Sequence, residues 1–151
     1  MSAGARTRPE PAAGVVCLRR PAAWRGSATE WEVLLIQRGT PPRLGEWSLP
    51  GGRIEWGERA MDAALRELRE ETGVEAEITG LLDVIDGIFP SAVGPSRHFV
   101  LVDYAARWTA GEPRPGDDAA EARFWPAEEA VAAVDWAETK RVIRLALERA
   151  R

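Results

Sequence analysis

The chain has 151 residues, 45% of them hydrophobic and 29% charged, which is enough for one substantial core and leaves no room for a second domain. A formal net charge of −4, with no basic run to offset it, argues against nonspecific binding to a nucleic-acid polymer. Cys17 is the single cysteine, so no intrachain disulfide can form, and no apolar run approaches the roughly 18 residues of a membrane span; a cytoplasmic protein with no membrane partner is expected.

In chain order, residues 1 to about 11, rich in Pro, Arg and Ala, read as a flexible N-terminal tail, and 12–151 as a single domain. The tail has arginines but no apolar segment of signal-peptide type. Gly14 to Arg19 (GVVCLR) has the β-branched content of a first strand, with Cys17 as a small core residue. Pro21, Gly26 and Ser27 make Arg20 to Glu30 an exposed connection. Trp31 to Gln37 (WEVLLIQ) is nearly continuous in apolar residues and is expected near the middle of a sheet. A proline-containing loop, Gly39 to Gly45, follows it.

The stretch from Gly51 to Val74, GGRIEWGERAMDAALRELREETGV, holds most of the functional information. From Glu58 to Thr72 it contains neither proline nor glycine, which predicts a helix stopped by Gly73. At about 100° per residue, Met61, Ala64, Leu65, Leu68 and Thr72 share one arc, which is expected to face the core. Glu67, Glu70 and Glu71 share the neighbouring arc, Glu70 about 60° to one side of Glu67 and Glu71 about 40° to the other. Above them Ala60 and Ala63 are small and leave room for a ligand. Three carboxylates at close quarters repel one another, whereas hard oxygen donors of this kind suit a divalent cation such as Mg²⁺ or Mn²⁺. The same segment also suits a solvated acidic face with Arg66 and Arg69 as partners.

Beyond the helix, Glu75 to Ile88 reads as a long strand or a bent pair ending at Phe89-Pro90, and Arg97 to Trp108 (RHFVLVDYAARW) as another with partial alternation. The turn-rich AGEPRPGDDA leads to a strand at Glu121 to Trp125. Pro126 begins a short helix, and Asp135 to Arg151 is a longer one with Val142, Ile143, Leu145, Ala146 and Leu147 toward the core. Helices combined with strands of a mixed β-sheet give an α/β fold, an α/β/α sandwich.

Gly52, Glu58, Arg66-Glu67, Glu70-Glu71, Gly73 and Val74 match the Nudix box without a departure, and from Val33 to Val74, with VLLIQR before the box and Trp47 to Gly52 leading into it, the chain resembles the Nudix hydrolase superfamily. The resemblance implies divalent metals, Mg²⁺ or Mn²⁺, held by Glu67, Glu70 and Glu71, with a backbone carbonyl lent by Gly51. Glu58 has a weaker metal-linked role, since its charge would equally favour a helix N-terminus. Arg66 usually orients a box glutamate, and here it stands four residues before Glu70, within reach on one face. A homodimer is expected on the same ground, because many Nudix proteins are dimers.

The reaction so implied is hydrolysis of the pyrophosphate bond in a nucleoside diphosphate joined to another group, with a small-molecule nucleotide as substrate. Some Nudix enzymes take a box glutamate as general base and others an acid outside the box. Here Glu112, Asp117, Asp118 and Glu121 are the outside candidates and Glu121 the preferred one, although all four also suit a solvated turn. Pro90, 16 residues past Val74, stands near the proline of the superfamily's ADP-ribose pyrophosphatases, which leans the substrate toward ADP-ribose or a nucleotide sugar. A nucleoside triphosphate, oxidised forms included, is the alternative. Trp24, Trp31, Phe89 and Trp108 are the aromatic candidates for stacking on a base. A nucleotide sensor without hydrolysis is the reading of a different class, and the complete set of box carboxylates speaks against it.

Overall fold

The computed structural model describes residues 8–22, 24, 26, 30–41, 43–92 and 94–150. Its elements in chain order are β1 (Glu10–Arg19), β2 (Glu32–Arg38), β3 (Trp47–Ser48), β4 (Gly51–Arg53), α1 (Ala60–Thr72), β5 (Glu75–Ser91), β6 (Gly94–Ala110), β7 (Ala119–Pro126), α2 (Ala127–Ala133) and α3 (Ala137–Arg149). The strands form one seven-stranded sheet in the order β3-β2-β1-β6-β5, with β4 also paired to β1 and β7 to β2. β1 runs parallel to β6, from Glu10 opposite Phe99 to Leu18 opposite Arg107, and antiparallel to β2 and β4. The sheet is therefore mixed.

Side-chain parity explains why the apolar runs of β1 and β2 are continuous rather than alternating. Val15 and Cys17 of β1 and Leu34 of β2 pack with Ala63, Ala64 and Leu68 of α1. Their neighbours Val16, Leu18, Val33 and Leu35 point to the opposite face and pack with Val131, Val142 and Ile143 of α2 and α3. One helix thus covers one face and two helices the other, which is the α/β/α sandwich. Cys17 is buried in the α1 layer, and burial pushes its thiol up to about 12. Among the described residues no helix is long and apolar enough to cross a membrane.

Several boundaries differ from the sequence reading, each for a local reason. β1 begins at Glu10 rather than Gly14, because its pairing with β6 aligns Glu10 to Ala13 as well; residues 1–7 of the expected tail lie outside those described. α1 begins at Ala60 rather than Glu58: Gly57 takes a left-handed φ of 82° and the Glu58 amide donates to the Glu55 carbonyl at 2.9 Å, so these residues form a turn. The core face of α1 is also rotated from the expected one. Met61 is 37% exposed and Leu65 half-buried, whereas Ala63 is fully buried. Ala63, fully buried, and Ala60, half-buried, accordingly pack into the core layer. The short strands β3 and β4, in WSLPGGR, are too brief to show a period of two.

Candidate active site

The acidic arc of α1 meets the backbone of β4 at two glycines. Gly51 and Gly52 pair with Gly14 and Ala13 of β1, which holds β4 against the helix. The Gly51 amide donates to Glu71 Oε1 at 2.8 Å. At Gly52 a β-carbon would lie 2.5 Å from Glu67 Cδ, so a side chain there would collide with that carboxylate. Close approach of strand backbone to helix carboxylates is what these two positions require.

The loop between β6 and β7 brings in a further acid by capping the same helix. Gly73 ends α1 in the left-handed region, φ 72°, with its amide on the Arg69 carbonyl at 2.9 Å. Arg114 N then donates to Thr72 O and Gly116 N to Glu71 O, each at 3.0 Å, so the loop satisfies carbonyls that the helix end would leave open. The next residue, Asp117, adopts φ 53° and stands over the acidic arc. Glu67, Glu70 and Asp117 each offer a carboxylate oxygen, all within 4.8 Å of one another.

Arg66 ties the cluster to the turn before the helix. Its Nε and Nη2 donate to Glu58 at 2.8 and 3.0 Å, a two-point bond, while Nη1 donates to Glu67 at 2.9 Å and Glu70 at 3.2 Å, and Nη2 also reaches the Arg53 carbonyl at 3.0 Å. The hydrogen bonds from Arg66, with one from the Glu55 amide, hold the Glu58 carboxyl down to about 2. Burial raises Glu67 against the opposing pull of Arg66. Glu71 is pushed up to about 8, chiefly by burial; the Gly51 amide opposes this, and the charges of Glu67, Asp117 and Glu70 add to it. Carboxyls raised by burial and by one another are a charge-frustrated set of hard oxygen donors, and a divalent cation relieves that frustration, so these residues fit Mg²⁺ or Mn²⁺.

The expected site residues divide accordingly. Glu67 and Glu70 come together with Asp117, and Glu71 lines the cleft with Gly51, from whose amide it accepts a hydrogen bond. Glu58 lies outside α1, bound to Arg66, and does not join the carboxylate cluster among the described residues. Glu121 sits on β7 opposite Gln37, exposed, and is not among the described residues lining the cleft. Glu112 pairs with Arg19 at 3.3 Å, whereas Asp117 and Asp118 both line the cleft. Of the four outside candidates Asp117 is thus the one that joins the carboxylate cluster, while the preferred Glu121 does not; Asp117 follows the Pro-Arg-Pro-Gly run that folds back on the helix.

Around the cluster is a cleft of about 450 Å³ whose acidic side is met by Arg38, Arg53 and Arg97. The sequence reading missed all three, which come from β2, β4 and β6 and converge only through the sheet. A second cavity of about 200 Å³ adjoins the cleft through Arg38, Gly51, Phe99 and Leu101. Of the four aromatic candidates only Phe89 lines it, joined by Trp47, Phe99 and Trp136. Trp31 and Trp108 line a different cavity with Arg19 and Arg20, and Trp24 lies under Arg20 at 4.7 Å. Pro90 pairs with Pro95 in the β5–β6 hairpin and lines neither the cleft nor the adjoining cavity.

Known proteins agree with this architecture. An ADP-ribose pyrophosphatase of Methanocaldococcus jannaschii is 37% identical over 95 residues, 62% of this chain and 54% of that protein. An 8-oxo-(d)GTP phosphatase of Mycolicibacterium smegmatis is 33% identical over 137 residues, covering 88% of this chain and 40% of that one. The chain thus spans about half or less of the length of these curated relatives. The NUDIX domain of Shewanella oneidensis NrtR, solved with ADP ribose, superposes with a TM-score of 0.78 at 23% identity over 100% of this chain and 94% of that one, which establishes the shared fold. A NUDIX domain model matches residues 8–146, taking in the β4–α1 glutamates and the capping loop together, and on that match the chain belongs to the NUDIX family.

Proposed function

We propose that this protein is a metal-dependent pyrophosphohydrolase acting on a nucleoside diphosphate that carries a further group. The observation that supports it is the convergence of Glu67, Glu70 and Asp117 within 4.8 Å at a cleft lined by Glu67, Glu71 and Asp117 together with Arg38, Arg53 and Arg97. Mg²⁺ or Mn²⁺ would be held by Glu67 and Glu70 with Glu71 beside them and, when bound, would screen phosphate charge and lower the pKa of water. Arg66 fixes Glu67 and Glu70 so that their oxygens remain convergent in spite of their mutual repulsion. The three cleft arginines engage phosphate oxygens that an acidic protein would otherwise repel. Asp117, rather than Glu121, is the acid outside the box in this reading, and its position in the cleft beside the glutamates supports a role in accepting a proton from attacking water.

For the group attached to the diphosphate, the reading is ADP-ribose or a nucleotide sugar, in keeping with the name of the 37%-identical relative. A second reading, a nucleoside triphosphate, is in keeping with the 8-oxo-(d)GTP phosphatase relative. Product analysis with Mg²⁺ on ADP-ribose, other nucleotide sugars, dinucleoside polyphosphates and ordinary and oxidised dNTPs, with a chelator control, tests both. A nucleoside monophosphate plus a phosphosugar is the expected outcome, and a nucleoside monophosphate plus pyrophosphate moves the protein to the triphosphate reading. Binding without any product would overturn the hydrolase and leave a nucleotide sensor.

A further inference from the structure

Along β6 the residues Phe99, Leu101 and Asp103 share one face of the sheet, the face that continues into the α2/α3 core through Ala105. Alternation calls for an apolar residue at 103, and a carboxylate is there instead, only 6% exposed. Its side chain lies over Gly14 of β1, its register partner, where a β-carbon would come within 2.5 Å of Asp103 Oδ1. The missing side chain at Gly14 is therefore what gives the carboxyl its place. No hydrogen bond from a described residue reaches it, and burial pushes it up to about 6, with Asp83 adding to the rise and Arg141 opposing it. Buried carboxyls are ordinarily hydrogen-bonded; here no described residue donates, and the oxygens are not among the fully enclosed atoms left without a partner, so they open onto the adjoining cavity.

Their surroundings are set by what else lines that cavity. Trp47 from β3, Phe89 from β5, Phe99 from β6 and Trp136 from the start of α3 surround the space that Asp103 faces, with Phe89 and Trp136 5.5 Å apart between ring centroids. At about 200 Å³ this cavity is below the ~300 Å³ at which drug-sized ligand pockets begin, so it takes one part of a ligand whose remainder lies in the contiguous cleft. Aromatic walls suit a flat ring by stacking, and a carboxylate accepts but does not donate.

Resting on the nucleotide-hydrolase reading above, we propose that this cavity receives the base of the substrate and that Asp103 selects a base edge with two adjacent N–H donors. That edge belongs to guanine, whose ring N–H and 2-amino group lie side by side. Adenine offers one amino donor beside a ring acceptor, which faces a carboxylate oxygen unfavourably. The choice of base is separate from the choice of the group beyond the diphosphate, so a guanine nucleotide sugar and a guanosine triphosphate are both compatible with it, whereas ADP-ribose, an adenine nucleotide, is disfavoured by it among the substrates named above.

The test uses the full chain with Mg²⁺ and three triphosphates that differ only in the base: GTP, ITP, which lacks the 2-amino group, and ATP. The expected order of kcat/KM is GTP, then ITP, then ATP, with at least about a tenfold span from first to last. In Asp103→Asn one acceptor becomes a donor, an arrangement that suits adenine, and the guanine preference should collapse or invert. A merely structural role for Asp103 would lower all three rates together and leave their ratio intact, which would overturn the inference. Equal use of the three bases by the unmodified chain would overturn it without any variant. Should none of the three turn over, calorimetry with GMP, IMP and AMP decides the question on affinity alone: the same ranking supports base selection by Asp103 even if the hydrolase reading fails, and equal affinities end it.

Discussion

Glu70 and Glu71 are adjacent in the chain and stand in different environments. Glu70 is exposed and meets Glu67 and Asp117, whereas Glu71 is turned toward β4 and held by the Gly51 amide. Neither contributes to the apolar core, so Glu70→Gln and Glu71→Gln should each lower turnover by about 10² or more, at the scale of a lost charged group in a catalytic site, while the thermal midpoint stays near that of the parent. Unchanged hydrolysis in both variants would remove the metal assignment. Asp117→Asn should be similarly damaging and Glu121→Gln nearly silent in the same assay, since only the former lines the cleft. Asp103 permits a pH prediction with a definite sign. Its folded value of about 6 lies above the ordinary 3.8, so the folded chain binds the extra proton between those limits and wild-type stability falls as pH rises from about 4 to about 6. Asp103→Asn removes that loss. Its stability advantage in urea melts of metal-free protein should grow across this window and level off above about pH 7; a difference that stays flat from pH 4 to 8 would contradict the assignment.

At the scale of elements, the site depends on how the 111–118 loop docks on the end of α1. The bonds from Arg114 to Thr72 and from Gly116 to Glu71 are backbone bonds, so the position of Asp117 is set by chain path rather than by side-chain attraction. At Gly116 a β-carbon would strike the Glu70 carbonyl, and Gly116→Ala must push the loop off the helix. The expected result is a fall in kcat, with a loss of stability of about 1–3 kcal/mol by denaturant melts, comparable to other overpacking changes. α1 itself is held by the core layer beneath it. Leu68 is fully buried among Val15, Leu34 and Val74, and Leu68→Ala should cost about 2–5 kcal/mol in the same melts.

For the whole molecule, metal binding and stability are linked, because the acidic cluster exists only when α1, β4 and the capping loop are assembled. A cation that binds the folded chain at a hundredfold its dissociation constant adds about 2.7 kcal/mol. For a domain of this size that corresponds to a rise of about 5–11 °C in thermal midpoint. Mg²⁺ should therefore raise the midpoint of the wild type, a chelator should reverse the rise, and Glu67→Gln with Glu70→Gln should abolish it. A midpoint indifferent to Mg²⁺ at millimolar concentrations would count against the site.

How much of this was open to reading from the residues follows from the range of the forces involved. The helix at 60–72, its stop at Gly73, the central apolar strand and the acidic arc were legible because they depend on neighbours three or four positions apart, and the Gly52 to Val74 spacing identified the family. Helix register within the core was less legible: whether Met61 or Ala63 faces inward is decided by Val15, Cys17 and Leu34 on distant strands. The entry of Asp117 rather than Glu121 into the cleft, the three arginines that line it together with the glutamates and the Asp103 cavity were beyond a local reading. Each arises from residues far apart in sequence that the parallel pairing of β1 with β6 and the capping of α1 bring together. Local propensity determines which elements form, and only the closed tertiary structure determines which charges end up facing one another.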